Sequence, residues 1–337
     1  MAPRAGILLA AVLVLVLIGG APSVSHGQVK LNVVYIVATN AEIQALELLT
    51  SPEYQARYGD YRKKYGIEIT VKAFMAAGDK YNAIKAGAVD IDVNFGVLPL
   101  AVMVAEGIPV RGVALASKAD YMIVVRKESP ITRIEEFRGK PFGVTTLSGT
   151  GYYITDFAFR AVRIDVKKDL QLKSLPPPTL VAALERGDLA GGTLFEPHTF
   201  RALKSGRFRA LGAPQEIYEK AFGTPWFHTA LVAKAETLRR QPQAIWSLVR
   251  AIFETAGLLE ENAEAVAKRF ASNKQFRLDE AMAREVLQAQ RRNWINQPLT
   301  SEMLGKVQTF YDRMYEVRAM DKPAKAVELF AVPEGGR

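Results

Sequence analysis

Hydrophobic and polar positions follow two patterns that alternate along the first two thirds of the chain. Short continuous apolar runs, such as residues 33–37 (VVYIV), predict strands that are buried on both faces of a sheet. Between them lie segments with apolar residues at helical spacing, such as residues 42–49, where Thr39 and Glu42 predict a capping box at the helix start. Strands that alternate with helices through short connections predict an α/β fold with a largely parallel sheet.

The alternation of strands and helices restarts in the middle of the chain. A first series ends with a strand predicted over residues 110–116, a link follows at residues 117–120, and a second series of strands falls within residues 121–211. From Pro242 onward only helical periodicity remains. Because helices in proteins gain most of their stability from packing, we expect this C-terminal helical tail to lie against the α/β part of the molecule.

A short pattern occurs once in each series. Residues 83–95 and 183–195 both predict a helix, a glycine stop at Gly87 or Gly187, and a strand that ends in Phe95 or Phe195. This repetition, together with two separate sheets, supports a pair of related lobes that face each other.

The amino terminus has the pattern of an export signal. Arg4 precedes an unbroken apolar run over residues 5–18, which is shorter than the roughly 20 residues that span a bilayer. We expect a signal peptide over residues 1–27, cleaved after Gly27 or, as a second choice, near residues 19–21; an uncleaved signal anchor is the alternative. The sequence contains no Cys, so no lipid-attachment cysteine follows the run. A periplasmic location follows as the expectation.

The charge balance does not indicate nucleic acid as a partner. The chain carries 44 Lys and Arg residues against 35 Asp and Glu residues, a formal net charge of +9. The basic residues are dispersed among acidic ones, as where Arg62-Lys63-Lys64 lies between Asp60 and Glu68. Dispersed charges of both signs are typical of a solvated surface.

Signals of catalysis and of metal binding are weak. The sequence lacks the nucleophile-elbow, phosphate-loop, dinucleotide and zinc-protease motifs. His198 and His228 have no partner four residues away, and we interpret Asp90 and Asp92 as a solvated strand edge rather than a metal site. We therefore expect no catalytic residue, no metal and no cofactor.

Four segments follow predicted strands, where ligands of open α/β sheets collect. They are residues 39–40, 95–96, 146–152 and 195–196. The third (TLSGTGY) is the most informative, because glycines admit a ligand close to the backbone, hydroxyls donate hydrogen bonds, and a helix start offers N–H groups to an anion. An ordinary capped turn, with Ser148 or Thr150 as the N-cap, is the alternative.

Several stretches resemble a known family, the periplasmic ligand-binding proteins of the nitrate/sulfonate/taurine and thiamine-precursor type. The matching stretches are residues 61–69 (YRKKYGIEI), 83–92 (AIKAGAVDID), 107–110 (GIPV), 137–144 (FRGKPFGV), 183–187 (ALERG) and 195–198 (FEPH). The family often places an acidic residue three positions after each glycine stop. Asp90 fits this pattern, whereas Ala190 departs from it.

The resemblance implies a type II periplasmic binding protein fold, with two α/β lobes joined by two crossovers near residues 117–120 and 212–226. Lobe 1 would comprise residues 28–117, lobe 2 residues 118–221, and residues 222–337 would return to lobe 1 and form the C-terminal helices. The implied function is a substrate-binding component of an ABC importer that captures a small sulfonate, carboxylate or pyrimidine-like solute. The implied partner is an ABC transporter permease with its ATPase, and the protein would be a monomer.

The predicted ligand-binding residues come from the four strand-end segments. They are Asn40, Phe95, Gly96, Ser148, Gly149, Thr150, Tyr152, Phe195 and Glu196. If Glu196 faces the cleft, its carboxylate favours an organic ligand with a donor or cationic group over nitrate or sulfate. Its alternative role is that of an acidic residue beside a helix N-terminus.

Two other functions are compatible with the sequence. A periplasmic sensor or co-receptor would have the same lobes and cleft. An enzyme related to thiamine-pyrimidine synthesis is disfavoured, because relatives of that type look like cytosolic proteins with a cysteine-rich segment, which this chain lacks.

Overall fold

The computed structural model describes residues 28–297 and 299–332, and the predicted signal peptide lies outside them. The chain forms two five-stranded sheets. The first contains β1 (Val29–Ile36), β2 (Ile67–Phe74), β3 (Ile91–Gly96), β4 (Val110–Lys118) and β10 (Phe227–Lys234). The second contains β5 (Tyr121–Arg126), β6 (Pro141–Val144), β7 (Gln171–Ser174), β8 (Gly191–Phe195) and β9 (Phe208–Gly212). We call the first sheet with its helices lobe 1 and the second lobe 2.

Each sheet has four strands in one direction and one strand reversed. The first has the order β2-β1-β3-β10-β4 and the second β7-β6-β8-β5-β9. β10 is antiparallel to β3 and β4, and β5 is antiparallel to β8 and β9. The start of each reversed strand therefore lies beside the end of a neighbour, with Thr229 opposite Gly96 and Tyr121 opposite Phe195.

Helices connect and cover the sheets. Those of the alternating part are α1 (Ala41–Leu49), α2 (Pro52–Tyr58), α3 (Tyr61–Tyr65), α4 (Ala77–Lys85), α5 (Val97–Ala105), α6 (Thr150–Ala161), α7 (Pro177–Arg186), α8 (His198–Lys204) and α9 (Pro214–Phe222). After β10 come α10 (Ala235–Arg240), which precedes the predicted helical tail, and the helices of that tail, α11 (Pro242–Ala256), α12 (Ala263–Ser272), α13 (Glu280–Arg291), α14 (Ser301–Glu316) and α15 (Ala326–Leu329). Within the described residues, no helix has the length and apolar character needed to cross a membrane.

The start of α1 differs from the prediction. Asn40 is the N-cap and its side chain makes no capping hydrogen bond. Thr39 and Glu42, predicted as a capping box, are fully buried, and a carboxylate oxygen of Glu42 accepts a hydrogen bond from Thr229 Oγ1 at 2.8 Å. The capping box is wrong because α1 is buried and the side chain of Glu42 bonds to Thr229 of the distant strand β10.

An aromatic cluster joins the lobes to the helical tail. Trp226, on the return to lobe 1, is fully buried with ring contacts to Phe157 of α6, Tyr218 of α9 and Phe310 of α14, at centroid distances of 5.8, 5.2 and 5.3 Å. Such tilted and edge-on contacts stabilise aromatic pairs beyond the burial of their area. Trp226 is therefore a core residue, and α14 packs where the two lobes meet.

Candidate functional site

The two lobes enclose a small cavity at the strand edges where β3, β8 and the reversed strands meet. Its volume is about 40 Å³. Lobe 1 contributes, among others, Asn40, Lys80, Asn94, Gly96 and His228, and lobe 2 contributes Tyr121, Thr146, Gly149, Thr150, Gly151 and Phe195. A cavity with room for about one water and with walls from both lobes indicates that the lobes are drawn together here.

Five of the nine residues predicted from the sequence line this cavity. They are Asn40, Gly96, Gly149, Thr150 and Phe195. The other four lie elsewhere. Phe95 is fully buried in lobe 1 with its ring 5.0 Å from that of Tyr81, and Tyr152 is buried in the core of lobe 2. Ser148 is exposed, with its hydroxyl 3.3 Å from that of Thr146.

Glu196, the fourth of these, has a partner within its own lobe. Its carboxylate accepts a hydrogen bond from the backbone N–H of Phe200 in the first turn of α8, at 2.9 Å. Burial raises the pKa of Glu196 to about 7, against the lowering effect of this hydrogen bond. The contact matches the alternative role considered for Glu196, an acidic residue beside a helix N-terminus.

A buried ion pair lies at the lobe 1 side of the cavity. Lys80 Nζ is 2.8 Å from Asp92 Oδ2, and both side chains are almost completely buried. Lys80 also donates to the backbone and side-chain oxygens of Asn94, at 3.1 and 3.2 Å. The interpretation of Asp92 as a solvated strand edge is wrong, because β3 is a central strand and α4 covers its face with Lys80. Asp90, which precedes β3 and is partly exposed, accepts hydrogen bonds from the backbone N–H and the side-chain amide of Asn32 in β1.

These contacts leave one amide of the cavity available to a ligand. Asn94 Oδ1 accepts from Lys80 and from the backbone N–H of Ile36, at 3.2 and 3.0 Å. The Asn94 Nδ2 group has no hydrogen-bond partner among the described residues, although Asn94 lines the cavity. It can therefore donate to a bound molecule.

A chain of hydrogen bonds runs from the cavity into lobe 1. Asn40 Nδ2 donates to Ser117 Oγ at 3.2 Å, Ser117 Oγ lies 2.6 Å from Thr229 Oγ1, and Thr229 bonds to Glu42. Glu42 is fully buried, and its second carboxylate oxygen has no partner among the described residues. Burial is the main cause that raises the pKa of Glu42 to about 7, and the hydrogen bond from Thr229 acts against it. Glu42 is thus linked to the cavity wall through Thr229, Ser117 and Asn40, and it binds a proton close to neutral pH.

The reversed strands contribute an aromatic contact across the lobes. Tyr121 Oη is 3.0 Å from His228 Nε2, and the two rings meet edge-on at 5.0 Å. Burial lowers the pKa of His228 to about 3, so this imidazole is neutral at physiological pH. Tyr121 also lies 6.0 Å from the ring of Phe195. These rings form the apolar wall of the cavity.

The start of α6 provides N–H groups. Its N-cap is Gly149, which has no side chain to bond to the N–H groups of the first turn. Gly149, Thr150 and Gly151 all line the cavity. N–H groups in the first turn of a helix lack intrahelical partners and favour negative charge. This arrangement can hold an anionic or oxygen-rich group against lobe 2, with the Asn94 amide opposite. Among residues 28–297 and 299–332, no cluster of three potential metal ligands is present.

Sequence reasoning did not predict four residues that line the cavity: Lys80, Asn94, Tyr121 and His228. Ligands were expected at strand ends, whereas Tyr121 and His228 lie at the starts of β5 and β10, which run the opposite way. Their signal was an aromatic or imidazole residue at the first or second position after each link between lobes. Lys80 gave no signal of its own, because a lysine on a predicted helix is usually exposed.

The fold has well-matched counterparts among solved structures. The periplasmic aliphatic sulphonate binding protein SsuA from Escherichia coli has a TM-score of 0.68 at 18% identity, over 90% of this chain and 92% of that chain. The alkanesulfonate-binding protein SsuA from Xanthomonas axonopodis pv. citri, bound to MOPS, has a TM-score of 0.70 at 17% identity, over 90% and 98%. These likenesses confirm the predicted type II periplasmic binding protein fold of two α/β lobes.

Sequence comparison identifies relatives as well. The chain is 27% identical over 147 residues to the taurine-binding periplasmic protein of Escherichia coli (strain K12). This match covers 44% of the chain and spans somewhat less than half, 45%, of that protein's length. The sequence profile of the NMT1-like family matches residues 50–272, which include the first helices of the tail and every strand of the two sheets except β1. The chain therefore belongs to the NMT1-like family.

Proposed function

We propose that this protein is the periplasmic substrate-binding component of an ABC importer and that it captures a small organic solute by closing its two lobes. The observation that carries the proposal is the cavity itself, whose walls come from Gly96 of lobe 1 and Thr150 of lobe 2. Closure is favourable when the closed state gains contacts with the ligand that the open state lacks. The role requires binding without chemistry, which agrees with the absence of catalytic motifs from the sequence.

The proposed ligand is a small sulfonate, carboxylate or pyrimidine-like molecule. The N–H groups at the start of α6 and the amide of Asn94 would bind its oxygens, and the rings of Tyr121 and Phe195 would contact its flat or apolar part. Relatives named for taurine and for sulphonates support this class. Because the cavity of about 40 Å³ is smaller than such a molecule, the lobes would have to part for entry and would close less completely around it.

The proposed cellular location and transport partners follow from the same relatives and from the sequence of the amino terminus. The signal peptide over residues 1–27 would export the chain to the periplasm, where the loaded protein would dock as a monomer on a permease with its ATPase. A sensor or co-receptor would bind its ligand in the same way but would not affect uptake.

Two experiments test this function. The first is a thermal-unfolding screen of the mature protein with sulfonates, carboxylates, pyrimidines and inorganic oxyanions, in which a ligand at about 100 times its Kd stabilises the native state by ~2.7 kcal/mol. The second measures uptake of the identified ligand by cells of the source organism with and without the gene. Loss of uptake supports transport, unchanged uptake supports sensing, and the absence of any ligand in the four classes contradicts the proposed substrate class.

A further inference from the structure

A second cavity lies between the lobes, on the other side of Phe195 from the first. Its volume is about 300 Å³. Helices α7 and α8 of lobe 2 form one wall, and the tail contributes Arg277, just before α13, and Met282 of α13. The ring of His198 lines this cavity and meets the ring of Phe195 edge-on at 5.3 Å. One aromatic side chain therefore separates the proposed solute cavity from this second cavity.

The charged side chains that line the second cavity are mostly cationic. They are Arg201, Lys204, Arg207, Arg277 and a single carboxylate, Glu185. Glu185 pairs with Arg207 at 2.9 Å, and Lys204 pairs across the lobes with Glu285 at 3.1 Å. These two pairs account for the acidic groups at the cavity and leave two arginines to be explained.

Arg201 of α8 and Arg277 of the tail are those two arginines. Within residues 28–297 and 299–332, neither guanidinium has an ion pair or a hydrogen bond. Burial and the positive charge of Arg277 lower the pKa of Arg201. The two guanidinium groups line one cavity from opposite lobes, and no carboxylate among the described residues pairs with either of them. Their like charges disfavour the closed arrangement unless a counter-charge is supplied.

His198 supplies a third polar group. Only 3% of this residue is exposed, and its imidazole has no hydrogen-bond partner among the described residues although it lines the cavity. Burial, with a smaller effect of Arg201 and Arg277, lowers the pKa of His198 to about 3, so the ring is neutral. A neutral imidazole still carries one N–H donor. A buried polar side chain without a partner normally indicates an unassigned ligand or water.

We infer that Arg201, Arg277 and His198 form a binding site for a small tetrahedral oxyanion, such as phosphate or sulfate. Guanidinium groups match the geometry of such anions because they present N–H donors in a planar fork. The two arginines provide positive charge from both lobes, and the imidazole provides a neutral donor from within. The bound anion replaces repulsion between the lobes by attraction to each, so it stabilises the closed arrangement.

Thermal unfolding in phosphate and in chloride at equal ionic strength and pH tests the site. We expect phosphate to raise the unfolding temperature of the wild-type protein, and Arg201→Gln and Arg277→Gln each to abolish most of this increase. Lys274→Gln is the matched control, because it removes one exposed positive charge close to Arg277 along the chain but outside the cavity. It should keep the increase. An equal response to phosphate in all four proteins would overturn the proposal.

A second measurement locates the anion and separates this site from the solute cavity. Selenate has the shape and charge of sulfate and gives an anomalous signal in crystals. We expect a selenate peak between Arg201 and Arg277 in the wild-type protein and no peak there in Arg277→Gln. A peak at the start of α6 alone would assign the phosphate response to the solute cavity and would contradict the second site.

Discussion

Gly96 at the end of β3 lies directly against Thr150 at the start of α6, so that the two lobes touch at this point. A Cβ atom placed on Gly96 would be only 2.6 Å from Thr150 Oγ1 and 2.8 Å from the ring of Pro99. The backbone of Gly96 has φ −65°, which any residue adopts. Glycine is therefore required here for the approach of the other lobe and not for its backbone conformation.

This contact predicts that Gly96→Ala impairs closure. The added methyl group meets the hydroxyl of Thr150 and the ring of Pro99, so we expect ligand affinity to fall about tenfold or more, with a loss of stability of ~1–3 kcal/mol from overpacking. Calorimetric titration with a ligand from the screen measures the first effect, and urea unfolding the second. Gly78→Ala is the matched control, because no atom lies within 4 Å of its added methyl. Equal affinities of the two variants would show that the lobes need not approach at Gly96.

The ion pair between Lys80 and Asp92 predicts a large cost for removing one partner. Lys80→Met leaves a buried carboxylate without its cation, and we expect it to destabilise the protein by ~3–5 kcal/mol. Lys85→Met on the same helix removes an exposed pair with Glu106, whose atoms are 2.9 Å apart, and should cost no more than ~1 kcal/mol. Urea unfolding compares the two. Adding Asp92→Asn to Lys80→Met should restore part of the stability, because it removes the unpaired buried charge. Similar losses of stability in Lys80→Met and Lys85→Met would contradict a buried ion pair between Lys80 and Asp92.

The buried carboxyl of Glu42 predicts a pH dependence of stability. Its folded pKa of about 7 exceeds the usual value of 4.5, so the folded state binds the proton more tightly than the unfolded state. The resulting stability is fully present below pH 4.5 and is lost as the pH rises through 7, a change of ~3 kcal/mol. Glu42→Gln removes this contribution to the pH dependence, so its free energy of unfolding should rise relative to wild type over this interval.

Unfolding of both proteins at several pH values measures the difference and cancels the similar contribution of Glu196. Glu53→Gln, which changes an exposed carboxyl on α2, is the control and should follow the wild-type curve. A wild-type curve parallel to that of Glu42→Gln between pH 4.5 and 7 would mean that Glu42 is ionised in the folded protein.

The position of Glu196 predicts that its carboxylate acts on α8 and not on the ligand. Glu196→Gln keeps an oxygen that can accept from Phe200, so we expect ligand affinity to change less than about twofold. The sequence-based hypothesis of a direct contact instead predicts a loss of ~1.5–3 kcal/mol in binding free energy, the usual contribution of a charge-assisted hydrogen bond. Calorimetry with a ligand found in the screen decides between them.

Local sequence was sufficient for most of the secondary structure. The strand predicted over residues 110–116 falls within β4, and the glycine stops at Gly87 and Gly187 both adopt positive φ angles, 73° and 83°. The periodicity of apolar and polar residues and the ability of glycine to adopt a positive φ at a helix end are local properties. They can therefore be recognised in the sequence without knowledge of distant contacts. The repeated helix–glycine–strand pattern also placed Phe95 and Phe195 correctly at the ends of strands in different sheets.

The sequence also indicated the start of α6 and the end of β3 as parts of one site, since ligands of open α/β sheets collect beyond the ends of the strands. It could not separate Gly96, which lines the cavity, from its neighbour Phe95, which points into the core of lobe 1. Alternation along a strand makes such neighbours face opposite sides, and only the packing of the sheet decides which side is the cleft.

The remaining contacts of the candidate site depend on the tertiary structure alone. Tyr121 and His228 are far apart in the sequence and begin strands, yet the reversal of β5 and β10 brings their rings together in the cavity wall. Lys80 is buried because Asp92 lies opposite it on a central strand. Propensity and periodicity are properties of consecutive residues, whereas these contacts depend on strand order and direction, which are selected by the packing of the whole chain.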